Sequence, residues 1–264
     1  MPDEDDLPVM SSAVQSSASM AADMFGDALP QAEKYAALLT GVGVERGVVG
    51  PAEADRIWDR HLLNCGALAR LLPAKCTLVD LGSGAGLPGI VMAILLPGVR
   101  VTLLEPLARR VDFLTECVTA LGLANAEVVR GRAEDMVGRV LADVVASRAV
   151  APLDKLAGLS VGLARPGGRV LAMKGASAEA ELVKARPVLA RLGVTDARVV
   201  HAGSAGGGAT ATVVTFSAPE HRSSRTGGRS AGRPDGGPAG RPGSRGGSAA
   251  GPRKARPNSR RSGG

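Results

Sequence analysis

From Cys76 onward the chain alternates short apolar stretches with longer helical ones, and few folds accommodate that rhythm. The apolar stretches "TLVDL", "RVTLLE", "AEVVRG", "ADVVASR", "GRVLAMK", "ARVVHA" and "ATVVTFS" read as seven strands. Between them the spacing predicts helices starting near Leu87, Leu107, Ala133, Leu153 and Ala178. Strands that alternate with helices form a mostly parallel sheet covered on both faces. The last two strands are joined only by "GSAGGGA", too short for a crossover helix, so they are expected to pair antiparallel at the sheet edge. This is the plan of the class I, Rossmann-like methyltransferase sheet, an α/β fold. A single domain of roughly 200 to 250 residues is ordinary for such architectures.

The stretches on either side differ in texture. Residues 1 to about 20 are acidic and rich in Ser and Ala, and disorder is expected there. Residues 21–72 read as helices, with Pro51 at the first position of "PAEADRIWDRHLLNCGALARLL" and Ile57, Leu62, Leu63 and Leu68 near helical spacing. The cofactor-binding sheet then occupies 76–217. Residues 218–264 carry eleven Lys and Arg against two acids, with almost no apolar side chain larger than Ala. Such a composition cannot bury enough surface to offset its ordering entropy, so a disordered Arg/Gly/Pro-rich tail is expected. Arg-rich disorder suits a polyanion such as nucleic acid, although a merely solvated extension has the same composition.

Cys65, Cys76 and Cys117 are odd in number and lack CxxC spacing, which argues against a disulfide framework or a zinc site and for a reducing compartment. No apolar run reaches membrane-span length, and the acidic "MPDEDDLPVM" lacks the basic start of a secretory signal. A cytoplasmic protein without metal is expected. Aromatics make up only 2% of the chain, so recognition by stacked aromatic platforms is disfavoured.

The chemistry is concentrated in "VDLGSGAGLPGI", where Asp80 precedes Gly82, Gly84, Gly86 and Gly89. A nucleotide P-loop needs GK[ST] where this chain has "GLPGI", so that reading fails. Gly84, Gly86 and Gly89 match the dinucleotide spacing G-x-G-x-x-G, which keeps a nicotinamide-dependent oxidoreductase open. S-adenosylmethionine is the third candidate. Its ammonium and sulfonium suit an acid at Asp80, whereas an acid beside a pyrophosphate repels it. Glu105, ending the second strand, suits the ribose hydroxyls of either cofactor. Ligands of open α/β sheets lie beyond the carboxyl ends of the strands, which places Ala133 and Glu134 near an adenine and Ser147 and Arg148 at the mouth of the crevice.

Taken together, "LVDLGSGAGLPGIVMAILLPGVRVTLLEPLARRVDFL", "RGRAEDM", "SRAVAPLDKL" and "LAMKG" closely resemble the bacterial 16S ribosomal RNA guanine-N7 methyltransferases, also called glucose-inhibited division protein B. The resemblance covers roughly residues 21–217. It implies S-adenosylmethionine as cofactor, with contacts at Gly82, Leu87, Ala133, Glu134 and Arg148, and as substrate one guanine in the decoding-region loop of 16S rRNA, in the small subunit or an assembly intermediate. A monomer that binds no membrane is expected. Guanine N7 has a free lone pair and no proton, so no general base is required, and Arg148 and Lys174 are the candidate cations for positioning the base through O6 or phosphate. A non-catalytic RNA-binding protein on the same fold, acting through its tail, is the further alternative.

Overall fold

The computed structural model describes residues 12–203 and 209–220. Seven strands form one sheet in the order β3-β2-β1-β4-β5-β7-β6. They are β1 (Cys76–Leu81), β2 (Val99–Glu105), β3 (Ala126–Arg130), β4 (Ala142–Arg148), β5 (Ala164–Lys174), β6 (Arg198–Gly203) and β7 (Thr210–Ser217). β1 to β5 run parallel, and β7 is antiparallel to both its neighbours. The expected antiparallel pair is present, with β7 inserted between β5 and the edge strand β6.

The strands read as near-continuous apolar runs because both faces are covered. Along β1, Leu78 joins one core while Val79 and Leu81 join the other, and β2, β4, β5 and β7 split in the same period of two. One core is closed by α6 (Gly89–Leu95), α7 (Ala108–Leu121) and the N-terminal helices; the other by α9 (Leu153–Leu163) and α10 (Ala178–Arg191), with the short α8 (Ala133–Met136) beside them. Helix starts fall within two residues of the positions the sequence predicts; α6 begins latest, at Gly89 rather than Leu87, because the tight turn runs on through Pro88.

The N-terminal region differs more. Helix α1 (Ser12–Phe25) begins inside the stretch expected to be disordered, and residues 1–11 lie outside the described residues. Ala21 and Phe25 give this Ala-rich segment a buried face, and Phe25 meets the edge of Trp58 with ring centroids 6.1 Å apart. α2 (Leu29–Thr40) caps α7: Gln31 Nε2 and Lys34 Nζ donate to the carbonyls of Leu121 and Ala120, each at 2.6 Å. After the single turn of α3 (Val42–Glu45), the segment from Pro51 is broken rather than one helix. It comprises α4 (Pro51–Ala54), a π-helical turn (Ile57–Leu62), α5 (Leu63–Ala67) and a 3₁₀ turn (Leu68–Leu71). The widened turn lets the chain wrap the sheet's carboxyl end, and Gly66 lets Met24 of α1 occupy the place of a β-carbon.

At the far end β7 stops at Ser217. Ala218 is buried and exchanges backbone hydrogen bonds with Gly167 and Gly168, so it belongs to the folded part. The remainder of the Arg-rich tail, residues 221–264, lies outside the described residues. Among the described residues no helix is long and apolar enough to cross a membrane.

Candidate functional site

The turn after β1 is built from both sides. Gly82 and Ser83 donate their N–H groups to the Leu104 carbonyl of β2, at 2.9 and 3.1 Å. Gly82 and Gly84 have φ +69° and +59°, a left-handed backbone that side chains rarely adopt. Around Gly84 the flank is open, the nearest atoms to a would-be β-carbon being 3.8 and 4.0 Å away. Gly86 and Gly89 serve packing instead. Tyr35 Oη and Ile90 fill the β-carbon place of Gly86, and Leu103 and Asp80 fill that of Gly89. Tyr35, wholly buried, donates to the Ala85 carbonyl at 2.8 Å and so ties α2 to the turn. Gly86, expected at the cofactor, is buried, with Tyr35 and Ile90 in the place of its β-carbon. Gly89 packs its helix against the sheet, as the third glycine of the dinucleotide pattern also does, so only Gly86 departs from that pattern's use of its glycines.

Asp80 is fully buried. Its Oδ2 accepts the Gly89 N–H at 2.9 Å, capping α6, while Oδ1 has no hydrogen-bond partner among the described residues. Burial pushes its carboxyl up to about 7, against the Gly89 N–H, which favours the charged form. Asp80 thus sits behind the turn with one oxygen spare. Glu105 is likewise buried, and both its oxygens are engaged: Oε2 accepts from Gly84 N at 2.9 Å and Oε1 from Leu107 N at 3.0 Å. Here the acid at the end of β2 holds the glycine turn, a contact the sequence did not suggest. Leu87 is half-buried, Ala133 is buried at the start of α8, and Glu134 is exposed beside it. Ser147 is buried, corrected from the crevice mouth, since alternation along β4 turns it to the face of Val145, covered by α9 and α10, while half-buried Arg148 faces the N-terminal segment.

A polar cavity of about 860 Å³ opens at the carboxyl ends of β4 and β5. Arg56, Arg60, Arg148 and Lys174 line it, with the acids Asp59 and Glu181, Asn64 and the segment 149–152. Val150 of that segment touches Gly82, so the cavity adjoins the glycine turn. Ala149 has φ +54°, unusual for a residue with a β-carbon, and such strain collects at functional sites.

The structure brings the two candidate cations together in this cavity but gives each a partner. Lys174 Nζ is 2.8 Å from Glu181 Oε2 and donates to the Ala151 carbonyl at 2.8 Å, so it is an ion-paired anchor of the 149–152 segment rather than a free cation. Burial opposes the charge on Glu181, but hydrogen bonds from Lys174, Leu153 and Ser177 hold its carboxyl below the usual range. Arg148 reaches the N-terminal segment: Nη2 lies 2.7 Å from His61 Nδ1 and 3.2 Å from the Arg60 carbonyl, and Nη1 donates to Cys65 Sγ at 3.3 Å. Burial pushes the Cys65 thiol up to about 11, so the sulfur accepts as a neutral thiol. Behind the ring, His61 Nε2 is 2.7 Å from Glu53 Oε2. Burial, then the Arg148 charge, lowers the pKa of His61 against the pull of Glu53. Arg56, Arg60, Asn64, Glu53 and Glu181 were not singled out from sequence. The charged "DRIWDRH" run is visible in the sequence, but only the tertiary structure lays it over the end of β4.

Comparison with known proteins follows the same lines. The family model for rRNA small subunit methyltransferase G matches residues 28–207. A ribosomal RNA small subunit methyltransferase G from Thermobifida fusca is 49% identical over 219 residues, 79% of this chain and 92% of that protein. One from Mycobacterium sp. strain JLS is 56% identical over 186 residues, 69% of this chain and 81% of that protein. Among solved structures, the apo form of the S-adenosylmethionine-dependent methyltransferase SibL superposes with a TM-score of 0.50 at 17% identity, over 64% of this chain and 57% of that one, which shows the shared fold alone.

Proposed function

Since the chain belongs to the rRNA small subunit methyltransferase G family, we propose that it methylates N7 of a single guanine in 16S rRNA with the cavity between its N-terminal helices and β4–β5 as the base site. The protein is an S-adenosylmethionine-dependent methyltransferase, and that cofactor supplies a sulfonium-activated methyl group when bound. The residues fit it. Gly84 presents an open, side-chain-free flank, Asp80 has a spare buried oxygen suited to an ammonium, and Gly82, Leu87, Ala133 and Glu134 stand at the ends of β1 and β3. Glu105 sets the turn and has lone pairs left for ribose hydroxyls.

The observation that carries the reading is the contact of Val150 with Gly82, which joins a cation-lined cavity to the glycine turn. Base and methyl donor are then held against one another, and positioning alone lowers such a barrier by as much as about 7–11 kcal/mol. N7 needs no proton removed, so the protein's part is orientation: Arg56 and Arg60 suit phosphate, and Arg148 suits O6. We place this activity in the cytoplasm, performed by a monomer on the small subunit or an assembly intermediate. The test is methyl transfer from labelled S-adenosylmethionine to small subunits from a strain lacking the gene, with the modified nucleotide mapped. Label at one guanine N7 is expected; label on another base or none sinks the reading.

A further inference from the structure

Arg148 carries five N–H donors and no acceptor. Both protons of Nη2 are spoken for, one by His61 Nδ1 at 2.7 Å and one by the Arg60 carbonyl at 3.2 Å. One proton of Nη1 goes to Cys65 Sγ. Because arginine only donates, His61 Nδ1 must be a lone pair and the ring proton must lie on Nε2, where Glu53 Oε2 accepts it at 2.7 Å. Glu53 therefore fixes the tautomer, and the tautomer fixes the guanidinium. The device sits on a π-helical turn, Ile57–Leu62, a local geometry that recurs at functional sites, and next to the strained Ala149.

The consequence concerns the target base. An unrestrained arginine fork grips guanine bidentately through O6 and N7, the commonest specific arginine–guanine contact. For an N7 methyltransferase that contact is self-defeating, because a donor on N7 occupies the lone pair that must take the methyl. With Nη2 consumed by His61 and Arg60, Arg148 keeps Nε–H and one Nη1 proton for the cavity and cannot offer both terminal nitrogens to one base edge. We propose that His61, oriented by Glu53, is a positioning residue that holds Nη2 of Arg148 off the guanine, leaving O6 bound and N7 bare. This inference rests on the guanine-N7 reading above.

It makes a prediction that a purely structural role does not. In His61→Ala, Nη2 is released to compete for N7, so the base binds as well or better while the methyl-transfer step slows. Single-turnover transfer from tritiated S-adenosylmethionine to small subunits lacking the modification should slow about 10- to 100-fold, the scale of a misplaced reacting group. KM for the subunits should be unchanged or lower, and affinity for S-adenosylhomocysteine unchanged. His61→Asn, whose amide oxygen can still accept from Arg148, should recover most of the rate. Glu53→Ala, at a position 35% exposed and so tolerant of substitution, should slow the same step to a smaller degree. A raised KM at normal rate, a matching loss of cofactor affinity, or His61→Asn no better than His61→Ala would overturn the inference. Wild-type protein that fails to label guanine N7 would instead remove the reading beneath it.

Discussion

Asp80 offers the sharpest quantitative test, because its carboxyl is fully buried and its pKa is raised from 3.8 to about 7. A native pKa above the unfolded one means that the native state binds the extra proton between about pH 4 and pH 7. Its contribution to stability is therefore complete below pH 4 and is lost as pH rises through 7. About 3 pKa units at 1.36 kcal/mol each give a loss of about 4 kcal/mol across that window. Carboxylates held low by their partners, such as Asp143 beside Thr77 and Glu181 beside Lys174, act in the opposite sense. The clean quantity is consequently the difference between wild type and Asp80→Asn, which keeps an oxygen for the Gly89 N–H but cannot ionise. Urea unfolding of both proteins at pH 4.5, 6 and 8 should show the variant gaining on wild type by up to about 4 kcal/mol toward high pH. The cofactor changes the balance, since an ammonium placed on the spare Oδ1 favours the charged carboxylate. Affinity of wild type for S-adenosylhomocysteine should rise with pH through about 7, and that of Asp80→Asn should be weaker and without this step. Parallel stability curves for the two proteins would refute the burial argument, and a cofactor affinity with the same pH profile in both would refute the ammonium contact.

Three further outcomes follow from the same geometry. Gly86→Ala forces a β-carbon onto Ile90 and Tyr35 at φ +98°, and left-handed strain plus overpacking should cost about 2–5 kcal/mol in an unfolding titration. Glu105→Gln keeps one acceptor where Gly84 and Leu107 need two, leaving a buried donor unmet for about 1–3 kcal/mol. Isothermal titration should show S-adenosylhomocysteine binding weakened roughly 10-fold, the equivalent of about 1.4 kcal/mol. Ending the chain at Glu220, which keeps the paired Ala218, removes eleven cationic residues. Cofactor affinity should hold while binding to 16S rRNA weakens and its dependence on salt flattens, and an unchanged salt slope would show that the tail makes no phosphate contacts.

What the sequence disclosed and what it withheld divide by the range of the interaction. Strand positions were legible because a two-faced parallel strand writes its burial into consecutive residues, as "RVTLLE" does, and the glycine turn because φ near +60° at Gly82 and Gly84 excludes most other residues. The sequence also identified which residues carry charge at the strand ends. It could not say what each charge faces. Arg148 and His61 are 87 positions apart and become neighbours only when the π-helical turn crosses the end of β4. Glu105 reads as a ribose ligand from its place after a strand, yet 21 residues back lies the Gly84 N–H that it accepts. The same limit explains Lys174, whose partner Glu181 stands on the next helix and is set opposite it only by the packing of that helix on the sheet. Motif position therefore locates the crevice, whereas the partner of each ionic group decides its role. For Arg148 the difference is between a free fork that would cap N7 and a tethered one that spares it.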